Sequence, residues 1–80
     1  MTIIIYSKDN CPYCKMAKRW LQSKNIAFTE YKVGHNGFTK EMLLKAVPTA
    51  RTVPQIIIDG KLLSGWDEFC DWYLENTNTA

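Results

Sequence analysis

The stretch that decides the fold is Ile3-Ile4-Ile5-Tyr6-Ser7-Lys8-Asp9-Asn10-Cys11-Pro12-Tyr13-Cys14. Residues 2–6 are β-rich and end in the polar run 7–10, so they read as a strand followed by a loop. From Cys11 to about residue 24, apolar positions recur at Tyr13, Met16, Ala17, Trp20 and Leu21, the spacing of a helix face, and Pro12 suits a first helical turn. The stretch is therefore a strand, a loop and a helix, with two thiols one helical turn apart at the junction. A C-x-x-C pair beside a β-α-β pattern is redox chemistry, in which one sulfur attacks and the other resolves.

The chain beyond this stretch extends the same pattern. Residues 27–33 alternate, with Ala27, Thr29, Tyr31 and Val33 set against Phe28, Glu30 and Lys32, and predict a second strand. Residues 34–37 form a loop. A second helix spans 39 to 47 and stops at Pro48, which cannot continue the hydrogen-bond ladder. Residues 53–58 and 61–63 flank Asp59-Gly60, a strong hairpin signal. The last helix is expected from about 65 to 75, with Trp66, Phe69, Cys70, Tyr73 and Leu74 on one face and a frayed tail over 76–80. The predicted order is β-α-β-α-β-β-α in one domain, residues 1–80.

Composition narrows the class. With 46% hydrophobic residues and ten aromatics in 80 residues, the chain reads as a compact soluble globule, and at this size burial of roughly 60% of the unfolded surface supports folding without cross-links. The net charge of +2 is too small to argue for nucleic acid. Lys15, Lys18, Arg19 and Gln22 read as a solvated helix face. No apolar run approaches the ~18 residues of a membrane span, and the Ile3–Ile5 run is shorter than a secretion-signal core of about 7–15 residues, so the expected location is the cytoplasm. Three cysteines are an odd number, as expected of catalytic or buried thiols in a reducing compartment. A Cys11–Cys14 bond closes a loop of about four residues and is a weak staple, well placed to be made and broken.

Three separated motifs, Cys11-Pro12-Tyr13-Cys14, Thr52-Val53-Pro54 and Gly65-Trp66-Asp67, together resemble the dithiol glutaredoxins, and the resemblance covers nearly the whole chain. It implies the thioredoxin fold in its minimal form: α/β, a four-stranded mixed sheet in the order second, first, third, fourth, three helices, and a cis bond before Pro54. It implies a glutathione-dependent thiol–disulfide oxidoreductase with Cys11 as nucleophile and Cys14 as resolving thiol. The implied groove for glutathione pairs the tripeptide's cysteinyl backbone with Val53 beside Pro54. Its γ-glutamyl end is held at Gly65, Trp66 and Asp67, and Lys8, Tyr13, Arg51 and Thr52 line the rest, with Lys8 and Arg51 as partners for the glycyl carboxylate. One departure is Ser64, which stands where the family carries the first of two glycines.

The residues themselves support the chemistry. Cys11 at the amino end of a helix meets unpaired N–H groups and the positive end of the helix dipole, and Lys8 and Lys15 are near in sequence, so its thiol is expected to ionise below the ordinary ~8.5. A lower pKa raises the thiolate fraction but lowers nucleophilicity with a Brønsted slope of ~0.45, so the net gain is in leaving: such a sulfur is expelled readily from a mixed disulfide.

Other readings stay beside these. Cys11, Cys14, Cys70 and His35 are the candidate ligands of a zinc site, against His35 as a solvated loop residue and Cys70 as a small buried hydrophobe. Ser64 and Asp67 have the spacing of a capping box, and the same helix start can hold a carboxylate. The expected partners are glutathione and disulfide-containing or glutathionylated proteins, with ribonucleotide reductase as a client by resemblance; no nucleic acid, membrane, metal or bound prosthetic group is expected, and the chain is expected to be a monomer. The alternatives are a redoxin reduced by a thioredoxin reductase and, from another class, an iron–sulfur carrier using Cys11 with glutathione at a dimer interface.

Overall fold

A computed structural model describes residues 2–63 and 65–77. Its elements follow the expected order: β1 (Ile3–Ser7), α1 (Pro12–Ser23), β2 (Thr29–Lys32), α2 (Lys40–Ala46), β3 (Gln55–Ile58), β4 (Lys61–Leu63) and α3 (Trp66–Thr77). The sheet order is β2-β1-β3-β4. β2 runs parallel to β1, with α1 as the crossover that parallel strands require, while β3 and β4 are antiparallel additions. The result is the mixed four-stranded sheet of the thioredoxin fold.

Helices cover both faces, which explains why β1 is a nearly unbroken apolar run. On one side Ile3, Ile5, Ile56, Ile58 and Leu63 pack against Ala17 and Leu21 of α1 and Phe69 and Tyr73 of α3. On the other, Tyr6 meets Leu43 and Val47 from α2, with Ile4, Ile57 and Leu62 alongside. The Tyr73 hydroxyl donates to the Trp20 carbonyl at 3.2 Å, tying α3 to α1. Among the described residues, no helix is long and apolar enough to cross a membrane.

Local chemistry sets the element ends. α1 closes in a Schellman arrangement: Asn25 takes the left-handed φ of 57°, its N–H donates to Gln22, and the Ile26 N–H reaches back to Leu21 at 2.9 Å. The Thr39 hydroxyl caps α2 by accepting from the Met42 N–H. Asp59 and Gly60 both have positive φ, 49° and 85°, as a two-residue type I′ hairpin demands.

Four expectations need correction. β3 begins at Gln55, not Val53, because Pro54 offers no N–H to the ladder. β2 is shorter than 27–33, since pairing with β1 ends at Thr29 and Lys32. On α1, Tyr13 and Met16 are 53% and 40% exposed and leave the core to Ala17 and Leu21; on α3, Leu74 is exposed and Cys70 only half-buried. Finally, α3 continues through Asn76 and Thr77, two residues assigned to the tail, and the Asn76 side chain donates to the Trp72 carbonyl there; residues 78–80 lie outside the described residues.

Candidate active site

The interior strand β1 ends at Ser7, and residues 8–10 turn the chain into α1 with Asn10 at φ 57°. Cys11 is the N-cap residue of α1, in extended conformation, and Pro12 occupies the first helical position. The Cys14 N–H donates to Cys11 Sγ at 3.2 Å, so the sulfur takes the role that a serine or aspartate oxygen plays at an ordinary helix start. The first turn holds no acidic residue. Cys11 and Cys14 are joined in a disulfide with Cα atoms 5.3 Å apart, within the normal span. Cys11 is 6% exposed and Cys14 1%; the attacking position is thus the one nearer solvent.

The Val53–Pro54 peptide is cis, as the resemblance implies. Cys11 Sγ lies 3.7 Å from the Val53 carbonyl oxygen. In the disulfide that sulfur carries no proton, so this is a contact; only the reduced thiol can donate across it. Among the described residues, the Val53 N–H has no hydrogen-bond partner.

Two depressions adjoin the redox pair. Lys8, Arg51, Thr52 and Val53 line one of ≈ 210 Å³ together with Lys40, Val33, Leu43, Leu44 and Ala50. Tyr13, Gly65, Trp66 and Asp67 line the second, with Glu68. The disulfide links them, since Cys11 touches Val53 and Tyr13 sits between the two cysteines. Pro54 is buried. The candidate groove residues other than Pro54 divide between these two depressions, Val53 alone among them having a recorded contact with a cysteine sulfur, and Lys40, absent from the sequence-based set, adds a third cation to the first.

The α3 start differs from expectation by one residue. The Phe69 N–H donates to the Gly65 carbonyl at 3.2 Å and α3 begins at Trp66. Ser64, and with it the capping-box and glycine-substitution questions, lies outside the described residues. Gly65 has φ 149°, where a side chain is strained, and open space at its Cα. The Tyr13 ring stacks on Trp66 at 5.3 Å, and Trp66 in turn meets Trp20 at 5.0 Å, so the wall of the second depression continues into the core.

Charged neighbours pair off. Lys18, expected on a solvated face, lies 2.8 Å from the Glu30 carboxylate, which also accepts from the buried Ser7 hydroxyl. Burial works against the Glu30 charge, but the hydrogen bonds from Lys18 and Ser7 and the charges of Lys18 and Lys32 outweigh it and hold its carboxyl below the ordinary value. His35 is exposed but engages Asp9 at 2.8 Å; that hydrogen bond, the largest influence, outweighs desolvation and, with the charges of His35, Lys32 and Lys15, holds the Asp9 carboxyl low. Burial, then Asp67 and Asp71, push the Cys70 thiol up. Among the described residues, no three His, Cys, Asp or Glu side chains converge as metal ligands, so Cys70 and His35 do not complete a site with the cysteine pair.

A two-cysteine bridge at the amino end of the first helix, facing a cis-proline loop on this sheet, defines a thiol–disulfide oxidoreductase of the thioredoxin fold. Comparison with known proteins places it more closely. The glutaredoxin family model matches residues 3–63. Glutaredoxin 1 of Rickettsia conorii is 42% identical over 73 residues, covering 88% of this chain and 70% of the relative. Glutaredoxin 3 of Escherichia coli K12 is 41% identical over 64 residues, covering 80% and 76%. Among solved structures, glutaredoxin 1 from Francisella tularensis, complexed with cacodylate, superposes with a TM-score of 0.79 at 28% identity over 98% of both chains. The chain belongs to the glutaredoxin family.

Proposed function

We propose that the protein is a glutathione-dependent oxidoreductase that reduces protein disulfides and glutathionyl mixed disulfides. The observation that carries this reading is the position of Cys11 Sγ, which accepts the Cys14 N–H at the helix start and lies 3.7 Å from the Val53 backbone. A helix-capping sulfur is stabilised as thiolate, and a backbone segment beside it whose N–H is unpaired can hydrogen-bond a peptide-like ligand.

In this mechanism the Cys11 thiolate attacks one sulfur of the substrate disulfide, forming a mixed disulfide and expelling the other sulfur as thiolate. Cys14 then loses its proton, attacks Cys11 Sγ and releases the reduced substrate, leaving the Cys11–Cys14 disulfide. One glutathione thiolate opens that bond at Cys11, returning Cys14 as a thiol. A second attacks the glutathionyl sulfur, releasing glutathione disulfide and the Cys11 thiolate. The two electrons come from two glutathiones. Deglutathionylation of a protein needs Cys11 alone.

Glutathione would lie with its cysteinyl backbone paired to Val53 beside Pro54. Its glycyl carboxylate would meet Lys8, Arg51 and Lys40 near Thr52, and its γ-glutamyl end Gly65, Trp66 and Asp67 beside Tyr13. Clients are disulfide-bearing or glutathionylated proteins of the cytoplasm, ribonucleotide reductase among them, served by a monomer. The test compares reductants: the wild-type protein should turn over a protein disulfide when fed by glutathione, glutathione reductase and NADPH. Turnover supported only by thioredoxin reductase would overturn the reading.

A further inference from the structure

Gln55 opens β3 opposite Tyr6 and is 2% exposed. Tyr6 across the ladder and Ile57 two residues on both belong to the apolar cluster under α2, so an amide here is out of keeping with its surroundings. Its Nε2 donates to the Thr52 carbonyl at 2.7 Å, while its Oε1, among the described residues, is buried with no partner. A buried amide oxygen left unpaired costs stability, and an apolar side chain of similar shape would avoid that cost.

The hydrogen bond explains what the amide does. Between Ala50, whose N–H reaches Val47, and Gln55, where the ladder begins, no backbone hydrogen bond among the described residues ties the loop to the sheet. The Gln55 side chain is that tie. The Thr52 carbonyl and the Val53 N–H belong to one rigid trans peptide unit, in which C=O and N–H point opposite ways. Holding the carbonyl inward therefore holds the Val53 N–H outward and unpaired, on the residue whose carbonyl oxygen lies 3.7 Å from the redox sulfur.

We propose that Gln55 is a positioning residue that aims the Val53 N–H at the cysteinyl carbonyl of a bound glutathionyl group and so sets affinity for glutathionylated substrates. This rests on the glutathione reading above. It predicts a selective defect: substrate binding weakens while the sulfur chemistry, which Gln55 does not touch, continues.

Gln55→Met keeps length and bulk but cannot donate to Thr52. The variant should raise the KM for a glutathionylated peptide about five- to tenfold, the worth of one hydrogen bond, with kcat within twofold of wild type. The Val53 amide should also become more mobile in 15N relaxation, a readout independent of any substrate. An unchanged KM in the folded variant, or a fall in kcat with KM unchanged, overturns the inference. Should Gln55→Met lose its native spectrum, Gln55→Leu carries the same test, since leucine cannot donate either and suits the apolar surroundings. If wild type itself lacks glutathione-supported turnover, the functional reading fails, and the Val53 relaxation still decides whether Gln55 aims the peptide plane: added mobility supports it and unchanged mobility refutes it.

Discussion

Replacing Glu30 by alanine should destabilise the protein out of proportion to a surface ion pair. Its carboxylate accepts from Ser7, which is fully buried at the end of β1, and from Lys18 on α1 at 2.8 Å, both side chains of that pair being about a quarter exposed. The ion pair by itself contributes about 0.2–1 kcal/mol. The hydrogen bond from Ser7 to a charged acceptor contributes about 1.5–3 kcal/mol, and its loss strands a buried hydroxyl. Glu30→Ala should therefore cost about 2–3 kcal/mol, whereas Lys18→Met should cost under about 1 kcal/mol. For a domain of this size each kcal/mol lowers the thermal midpoint by about 4–8 °C, so the two variants should separate clearly in calorimetry. The carboxyl's folded-state pKa lies below its ordinary 4.5. Its contribution is present above that ordinary value and is lost as pH falls through the lower folded value, so the gap between wild type and Glu30→Gln should close in that acid window. Equal costs for Glu30→Ala and Lys18→Met, or a gap that widens as the pH falls, would refute the reasoning.

Three further outcomes follow from the same geometry. Cys11→Ser should abolish turnover yet match the reduced wild type in thermal stability, because serine caps helices well, whereas Cys11→Ala should lose about 1 kcal/mol; calorimetry of the reduced proteins checks this. The Asp9 carboxyl should titrate by NMR below its ordinary 3.8 and move up toward it in His35→Ala, since the imidazole hydrogen bond is the main cause of its depression. Lys40→Gln should raise the KM for glutathione by about threefold, as removal of one exposed charge warrants, while Lys61→Gln, at a depression on the β4 side, should leave it unchanged.

What was legible in the sequence was what short-range chemistry decides. The Ile run of β1, the Pro12 start of α1, the stop before Pro48 and the Asp59-Gly60 turn each follow from residues a few positions apart. The errors came where tertiary context overrides a local pattern. Val53 has strand propensity, but the proline after it offers no N–H, and the ladder begins at Gln55. Tyr13 and Met16 sit on the helical period of Ala17 and Leu21, yet they are exposed at the redox end of α1. Lys18 and His35 read as solvated because their partners, Glu30 and Asp9, lie 12 and 26 residues away. The sulfur's neighbour Val53 is 42 residues from Cys11, and only the family resemblance brought it to the site. Nothing in the pattern around Gln55 marks it out from the isoleucines that follow.

In the proposed function, Cys11, held at a helix start against the Val53 backbone, carries a glutathione-specific cycle. The direct measurement is turnover of a glutathionylated peptide by Cys14→Ser, coupled through glutathione reductase to NADPH oxidation. Cys14→Ser should retain turnover and Cys11→Ser should have none. Loss of turnover in Cys14→Ser, with wild type active only through thioredoxin reductase, would contradict the proposed function.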